Sequence, residues 1–182
     1  MKKYVLLAGV NGAGKSTLFS LISSLSEIEK VNLDETVREI GDWRNPKDVL
    51  SAGRIIISRI DRFFAEGVSF SQETTLCGKS IIQNIRRAKS LGYSIEMHYV
   101  GLDSADIAKE RVKSRVMHGG HGIPDEDIER RYVESMKKLK MVLPVCDVVA
   151  IYDNTDAFRR FAIYKNGVCV RVSSHIPNWS QA

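Results

Sequence analysis

Gly9-Val10-Asn11-Gly12-Ala13-Gly14-Lys15-Ser16-Thr17 reads GxxxxGKST, the pattern of a loop that wraps phosphate. An apolar run, Tyr4 to Ala8, precedes it. Leu18, Phe19, Leu21, Ile22 and Leu25 follow it at helical spacing. A buried strand, a glycine-rich loop and a helix in that order give the pattern its structural meaning. Backbone N–H groups of the loop would curl around the β-phosphate, and the helix dipole points the same way. The whole run, Gly9 to Thr17, is therefore expected to bind nucleotide. Lys15 is expected to reach the β- and γ-phosphates, and the Ser16 hydroxyl to ligate Mg2+.

Working outward, strands alternate with helices. Strands are expected near 3–8, 29–33, 68–71, 94–100 and 145–152. Helices are expected near 15–25, 46–66, 78–91, 103–116 and 125–139. Two short strands near 160–165 and 168–173 flank Lys165-Asn166-Gly167, a hairpin turn signal. This order predicts an α/β fold, a P-loop NTPase three-layer sandwich of the nucleoside/nucleotide-kinase kind. Its core would be a mostly parallel five-stranded sheet, with a helical arginine-rich lid (about 111–131) and a C-terminal hairpin (about 158–175). The 182 residues fit one such domain.

Composition narrows the partners. The net charge is +5, but the arginines gather between 111 and 131, which favours a local phosphate clamp over a nucleic-acid face. No apolar stretch is long enough to cross a bilayer. The basic start, Met1-Lys2-Lys3, runs straight into the first strand, so it is not read as a secretory signal. No nucleic acid and no membrane are expected as partners, and the cytoplasm is the expected location. Cys77, Cys146 and Cys169 are too widely spaced for a disulfide framework or a metal site. Cys146 and Cys169 lie in apolar runs and are expected in the core.

Ligands in such folds gather at the carboxyl ends of the strands. Asp34 follows the second strand and is the expected base or positioning group for a substrate hydroxyl. Glu73 follows the third, with Thr74 and Thr75 beside it. An acid and two hydroxyls there suit a polyhydroxyl or amide-bearing substrate, or water around magnesium. Arg111, Arg115, Arg130 and Arg131 flank Gly119-Gly120-His121-Gly122. Phosphoryl transfer needs cations over developing charge and a cover against water. His121 is a candidate contact for phosphate or substrate. Asn154, after the last core strand, is expected near the nucleotide base. No acid ends the fourth strand with the spacing of a motor ATPase.

Gly9–Thr17, Asn32-Leu33-Asp34-Glu35, Glu73-Thr74-Thr75-Leu76, the Arg111–Tyr132 stretch with its Gly-Gly-His-Gly-Ile-Pro run, and Tyr152-Asp153-Asn154 together resemble the zeta toxin family. The likeness is to its small free-standing bacterial members. It spans about the first 155 residues. It implies an ATP- and Mg2+-dependent kinase that phosphorylates the 3′-hydroxyl of a UDP-N-acetyl amino sugar. It implies Asp34 as base, Glu73 as a contact to the sugar nucleotide, and lid arginines completing the transfer site. A neutralising antitoxin protein is a possible partner in such a family. A nucleoside, nucleotide or other small-metabolite kinase, and a non-kinase nucleotide switch that binds proteins, are the alternatives.

Overall fold

The computed structural model describes residues 1–181. One seven-stranded sheet runs β1 (Lys3–Ala8), β2 (Glu29–Val31), β3 (Phe70–Thr74), β4 (Ser94–Gly101), β5 (Val148–Asp153), β6 (Arg159–Lys165) and β7 (Val168–Val172). Their spatial order is β2-β3-β1-β4-β5-β6-β7. The first five are parallel, and β6 and β7 extend the sheet antiparallel. Asn166 and Gly167 both take positive φ (48° and 78°). Two left-handed residues make a turn whose twist matches the flanking strands, which is why Asn-Gly closes this hairpin.

Six helices cover the sheet: α1 (Lys15–Leu21), α2 (Leu33–Ile40), α3 (Pro46–Glu66), α4 (Ser80–Ser90), α5 (Ala105–Met117) and α6 (Asp125–Val142). Alternation along β1 sets the layers. Tyr4, Leu6 and Ala8 join a core with Ile60, Phe63, Phe64 and Phe70 on one face. Val5 and Leu7 join Leu18, Val100, Ala108 and Val112 on the other. Tyr4 is fully buried, and its hydroxyl donates to Gln72, so the ring is buried without an orphaned polar atom.

Local signals fix several boundaries. The Asn45 side chain accepts from Lys47 N at 3.1 Å, Pro46 opens α3, and Gly67 ends it in the left-handed region. Three expectations change. The second strand, expected near 29–33, stops at Val31, and residues 33–40, where no helix is expected, form α2 with Asn32 as its N-cap. Asp34 thus sits in a helix's first turn, not on a loop. The third strand starts later and runs to Thr74, so Glu73 lies within it. Cys169 is exposed while Cys146 is buried. Cys169 lies on β7, the edge of the sheet, where an apolar run finds nothing to pack under.

Candidate active site

The carboxyl ends of β1, β2 and β3 form one working edge. Gly12 has φ 79°, and a Cβ there would lie 2.6 Å from the Ala108 carbonyl oxygen. Gly14 has φ 98°, and a Cβ there would lie 2.6 Å from the Asn154 amide nitrogen. Only glycine allows this loop to lie so close under its neighbours. Lys15 is buried, and its ammonium donates to the Val10 carbonyl at 3.0 Å. Glu73 Oε1 lies 3.9 Å away. Burial holds the Lys15 pKa below its ordinary value, and the Glu73 and Asp34 charges oppose that shift.

Glu73 faces the loop because β3 pairs with β1, setting Leu7 opposite Glu73. Ser16 Oγ donates toward its two carboxylate oxygens at 3.2 and 3.0 Å. Asn32 Nδ2 donates to the same carboxylate at 2.8 Å. A hydroxyl and a carboxylate therefore meet at the mouth of the phosphate loop. Magnesium keeps several waters and takes one or two carboxylates alongside substrate phosphates, and this donor pair fits that habit. Among the described residues, no group of three or more His, Cys, Asp or Glu could hold a metal. The carboxylate that meets Ser16 thus comes from β3, on the opposite side of β1 from the fourth strand.

Asp34 stands across from the loop, in the first turn of α2. Arg115 Nη1 lies 3.9 Å from its carboxylate and His121 Nε2 lies 3.7 Å from it. His121 packs on Trp43 with ring centroids 5.3 Å apart. Burial pushes the His121 pKa down, and Asp34 partly opposes it. Arg115 carries the most telling atoms: its Nε and Nη2 are buried and have no hydrogen-bond partner among the described residues. Leaving such donors unpaired is costly, and that edge of a guanidinium is the fork that grips a phosphoryl or carboxylate group.

The lid arginines divide. Arg131 Nη1 donates to Asn11 Oδ1 in the phosphate loop at 3.1 Å. Arg111 Nη2 donates to the Thr155 carbonyl at 2.9 Å, beside the loop after β5. Arg130 is not brought to the site. It faces outward, bonded to Asp127 at 2.7 Å and to Glu134 at 3.3 Å along its own helix. Neighbours on a helix point a hundred degrees apart, so Arg130 and Arg131 could not share one task. Thr74 Oγ1 accepts from Leu76 N at 2.9 Å and closes the turn after β3, and the Thr75 carbonyl accepts from the Cys77 thiol at 3.5 Å. Asn154 Nδ2 donates to the Ala13 carbonyl at 2.8 Å, tying the end of β5 to the phosphate loop.

Sequence reasoning missed Asn32, Trp43 and Trp179. Asn32 had a readable signal, since Asn three residues before Glu35 is an N-cap pattern. Trp43 had none until α2 turned the chain back toward the lid. Trp179 is buried, and its indole N–H donates to Asp153 at 3.0 Å.

No family model matches the chain. It is 34% identical over 131 residues to a Haemophilus influenzae protein described as uncharacterized, across 71% of this chain and 92% of that one. Among solved structures, a chain of the AvrRxo1-ORF1:-ORF2 complex with ATP superposes with a TM-score of 0.72 at 14% identity, over 94% of this chain and 60% of that chain. A chain from the PezAT chromosomal toxin-antitoxin system of Streptococcus pneumoniae gives 0.61 at 16% identity, over 98% and 75%. This chain thus spans about three fifths of the AvrRxo1 complex chain it matches. At such identities the likeness is one of fold, and the fold is that of the P-loop nucleotide-binding proteins. No helix among the described residues is long and apolar enough to cross a membrane.

Proposed function

The chain belongs to the same family as the Haemophilus influenzae protein, and we propose that it is an ATP-dependent kinase acting, as a single cytoplasmic domain, on a small hydroxyl-bearing molecule. The first-choice acceptor is a UDP-N-acetyl amino sugar. The observation that carries this reading is the arrangement around Arg115. Arg115 Nη1 lies 3.9 Å from Asp34, its other two guanidinium nitrogens are buried without a partner among the described residues, and its carbonyl accepts from Gly120 N of the lid hinge. Cation, carboxylate and phosphate loop are the three parts an in-line phosphoryl transfer needs.

In this mechanism ATP lies along Gly9–Thr17 with its phosphates on the backbone amides. Lys15 leaves the Val10 carbonyl for the β- and γ-phosphates, a trade of one buried acceptor for a better charged one. When bound, magnesium would be held by Ser16 and Glu73 and would neutralise charge on the β- and γ-phosphate oxygens. Asp34 orients the acceptor hydroxyl and takes its proton. The acceptor oxygen forms the new bond to the γ-phosphorus, the bond to the β-bridging oxygen breaks, and ADP leaves. Arg115 and Arg131 meet the charge that spreads over the equatorial oxygens. Arg111 and Asn154 hold the loop that borders the base, and Arg130 takes no part. Thr74 and Thr75 shape the acceptor side through the turn after β3.

A neutralising protein partner belongs to the same proposal. It is supported by the PezAT neighbour, whose name describes a toxin-antitoxin system. The kinase reading is tested by incubating the purified chain with ATP labelled on its γ-phosphate and a panel of nucleosides, sugar phosphates and UDP-sugars, read by mass. Transfer to a sugar nucleotide supports it. Slow hydrolysis with no acceptor in any arm would point to a nucleotide switch instead.

A further inference from the structure

The chain's net charge does not lie where its arginines are densest. Between 111 and 131, five Lys and Arg are met by four Asp and Glu. Residues 157–182 hold Arg159, Arg160, Lys165 and Arg171 and no acid. Four of the five net positive charges therefore fall on the C-terminal hairpin and its tail. Arg159 lies 3.9 Å from Asp153. Arg160, Lys165 and Arg171 pair with no carboxylate among the described residues. A patch of one sign attracts the opposite one.

β7 is also an open edge of the sheet. The Ser173 N–H donates to the Phe161 carbonyl at 2.7 Å, so the next pair, Ala162 and Val172, is one that exchanges no hydrogen bond. The Val172 N–H and C=O therefore point away from β6. Lys165 and Val168 flank the two-residue turn, which turns Cys169 outward in the same way. The register shifts between Ile163 and Tyr164, leaving Val170 as the extra residue of a bulge. Val168, Val170 and Val172 are 65%, 53% and 55% exposed. Two cavities border the strand and share Phe161, Ala162 and Val172 as walls. One holds about 300 Å³ and is lined by Arg160 and Arg171. The other holds about 310 Å³ and is largely apolar, lined by Met136, Leu139 and Leu143. Ala162 and Tyr164 face the α6 side of the sheet. Arg171, paired with Ile163 between them, faces the other.

We propose that β7 is a docking edge for an acidic, extended protein segment, which adds to the sheet as one more strand. Side chains alternate across a strand. Carboxylates on one face of the segment meet Arg160 and Arg171, and apolar residues on the other enter the cavity beside α6. A second copy of this chain fits worse, because two basic hairpins would meet, and edge charges and bulges are what keep strands from self-pairing. Nucleic acid fits worse too. It would want rings to stack on, and none of Phe158, Phe161, Tyr164 and Trp179 is exposed. β7 lies four strands from β1, about 19 Å at the usual strand spacing, so the docked segment leaves the nucleotide loop open. The inference is independent of the kinase reading.

The test is fluorescence anisotropy of dye-labelled probes titrated with the full chain. The probes are a short peptide alternating Glu and Leu, the same peptide with Lys in place of Glu, the Glu peptide N-methylated at every residue, and a single-stranded DNA oligonucleotide. N-methylation keeps the charges and removes the ladder donors. The Glu peptide should bind, and the other three at least about tenfold more weakly. Arg171→Glu should weaken the Glu peptide at least about tenfold and strengthen the Lys peptide. Arg171 is exposed, so the variant's thermal midpoint and its affinity for an ATP analogue should not change. DNA binding as tight as the Glu peptide's would make the hairpin a nucleic-acid surface. Equal binding of the N-methylated peptide would reduce it to an unspecific charge contact. A dimer of the free chain that the peptide dissociates would give the edge to a second copy. Displacement of the ATP analogue by the peptide would put the peptide in the phosphate loop. Each of these results, an Arg171→Glu chain that binds as before, or no binding by any probe overturns the proposal.

Discussion

Asp34 and His121 face each other at 3.7 Å, and each supports a separate measurement. If Asp34 takes the acceptor proton, Asp34→Asn keeps shape and polarity but loses the base. Turnover should then fall at least about a hundredfold while ATP-analogue affinity holds. Unchanged turnover would remove Asp34 from the chemistry. His121 gives a pH signature. Its folded pKa is held below the ordinary 6.5, chiefly by burial. The unfolded chain therefore binds the proton more readily than the folded one, and stability falls as pH drops through about 6.5 toward the folded value. Carboxylates such as Asp127 and Glu134, whose pKa values are lowered by ion pairs, act only further down. Thermal midpoints measured from pH 5 to pH 8 should rise toward neutrality. His121→Gln should flatten that part of the curve, and an equally steep curve in the variant would contradict the assignment.

At the level of elements, α2 carries Asp34 in its first turn, 3.9 Å from Arg115 of the lid, and Asn32 serves this helix twice. Its Oδ1 accepts from Glu35 N at 3.2 Å and caps the helix, while its Nδ2 holds Glu73 at 2.8 Å. These tasks separate chemically. Asn32→Ser keeps a cap but loses the amide donor, and Asn32→Ala loses both. Denaturant midpoints should put Asn32→Ala about 1 kcal/mol below Asn32→Ser, while turnover falls in both. Equal stabilities would mean the cap contributes nothing. The long helices were legible in the chain because their signals are local: Asn45-Pro46 at one end of α3, Gly67 at the other, apolar spacing between. α2 was not, because eight residues with only Leu33, Val37 and Ile40 apolar carry too short a period to read. The same short reach put the third strand too early, since Gln72, Glu73 and Thr74 look like a loop until β1 and β2 flank them.

Across the whole molecule, the phosphate-loop pattern could be recognised because its glycines, lysine and hydroxyls fall within nine consecutive residues. The pairing of Glu73 with Ser16 could not, because it depends on the strand order that sets β3 beside β1. Nor could the outward turn of Arg130, which only the packing of α6 decides. The longest-range case is the C-terminal segment. Trp179 comes back over the end of β4, where a Cβ on Gly101 would fall 2.1 Å from its ring. Its indole N–H holds Asp153 Oδ1, which also accepts from the Thr155 hydroxyl at 2.7 Å. Thr155 Oγ1 in turn accepts from Asp103 N at 3.0 Å, and its carbonyl takes Arg111. One buried ring thereby braces the loop after β5, which Asn154 ties to the phosphate loop. Trp179→Ala should cost about 3–5 kcal/mol in urea unfolding and raise the KM for ATP more than it lowers kcat. Gly101→Ala should cost about 1–3 kcal/mol by overpacking, but little in a chain already lacking the indole. The double variant would then be less destabilised than the two single losses summed, as expected for residues in contact. Simple additivity would show that the ring and the strand end do not press on each other, and the brace would have to be abandoned.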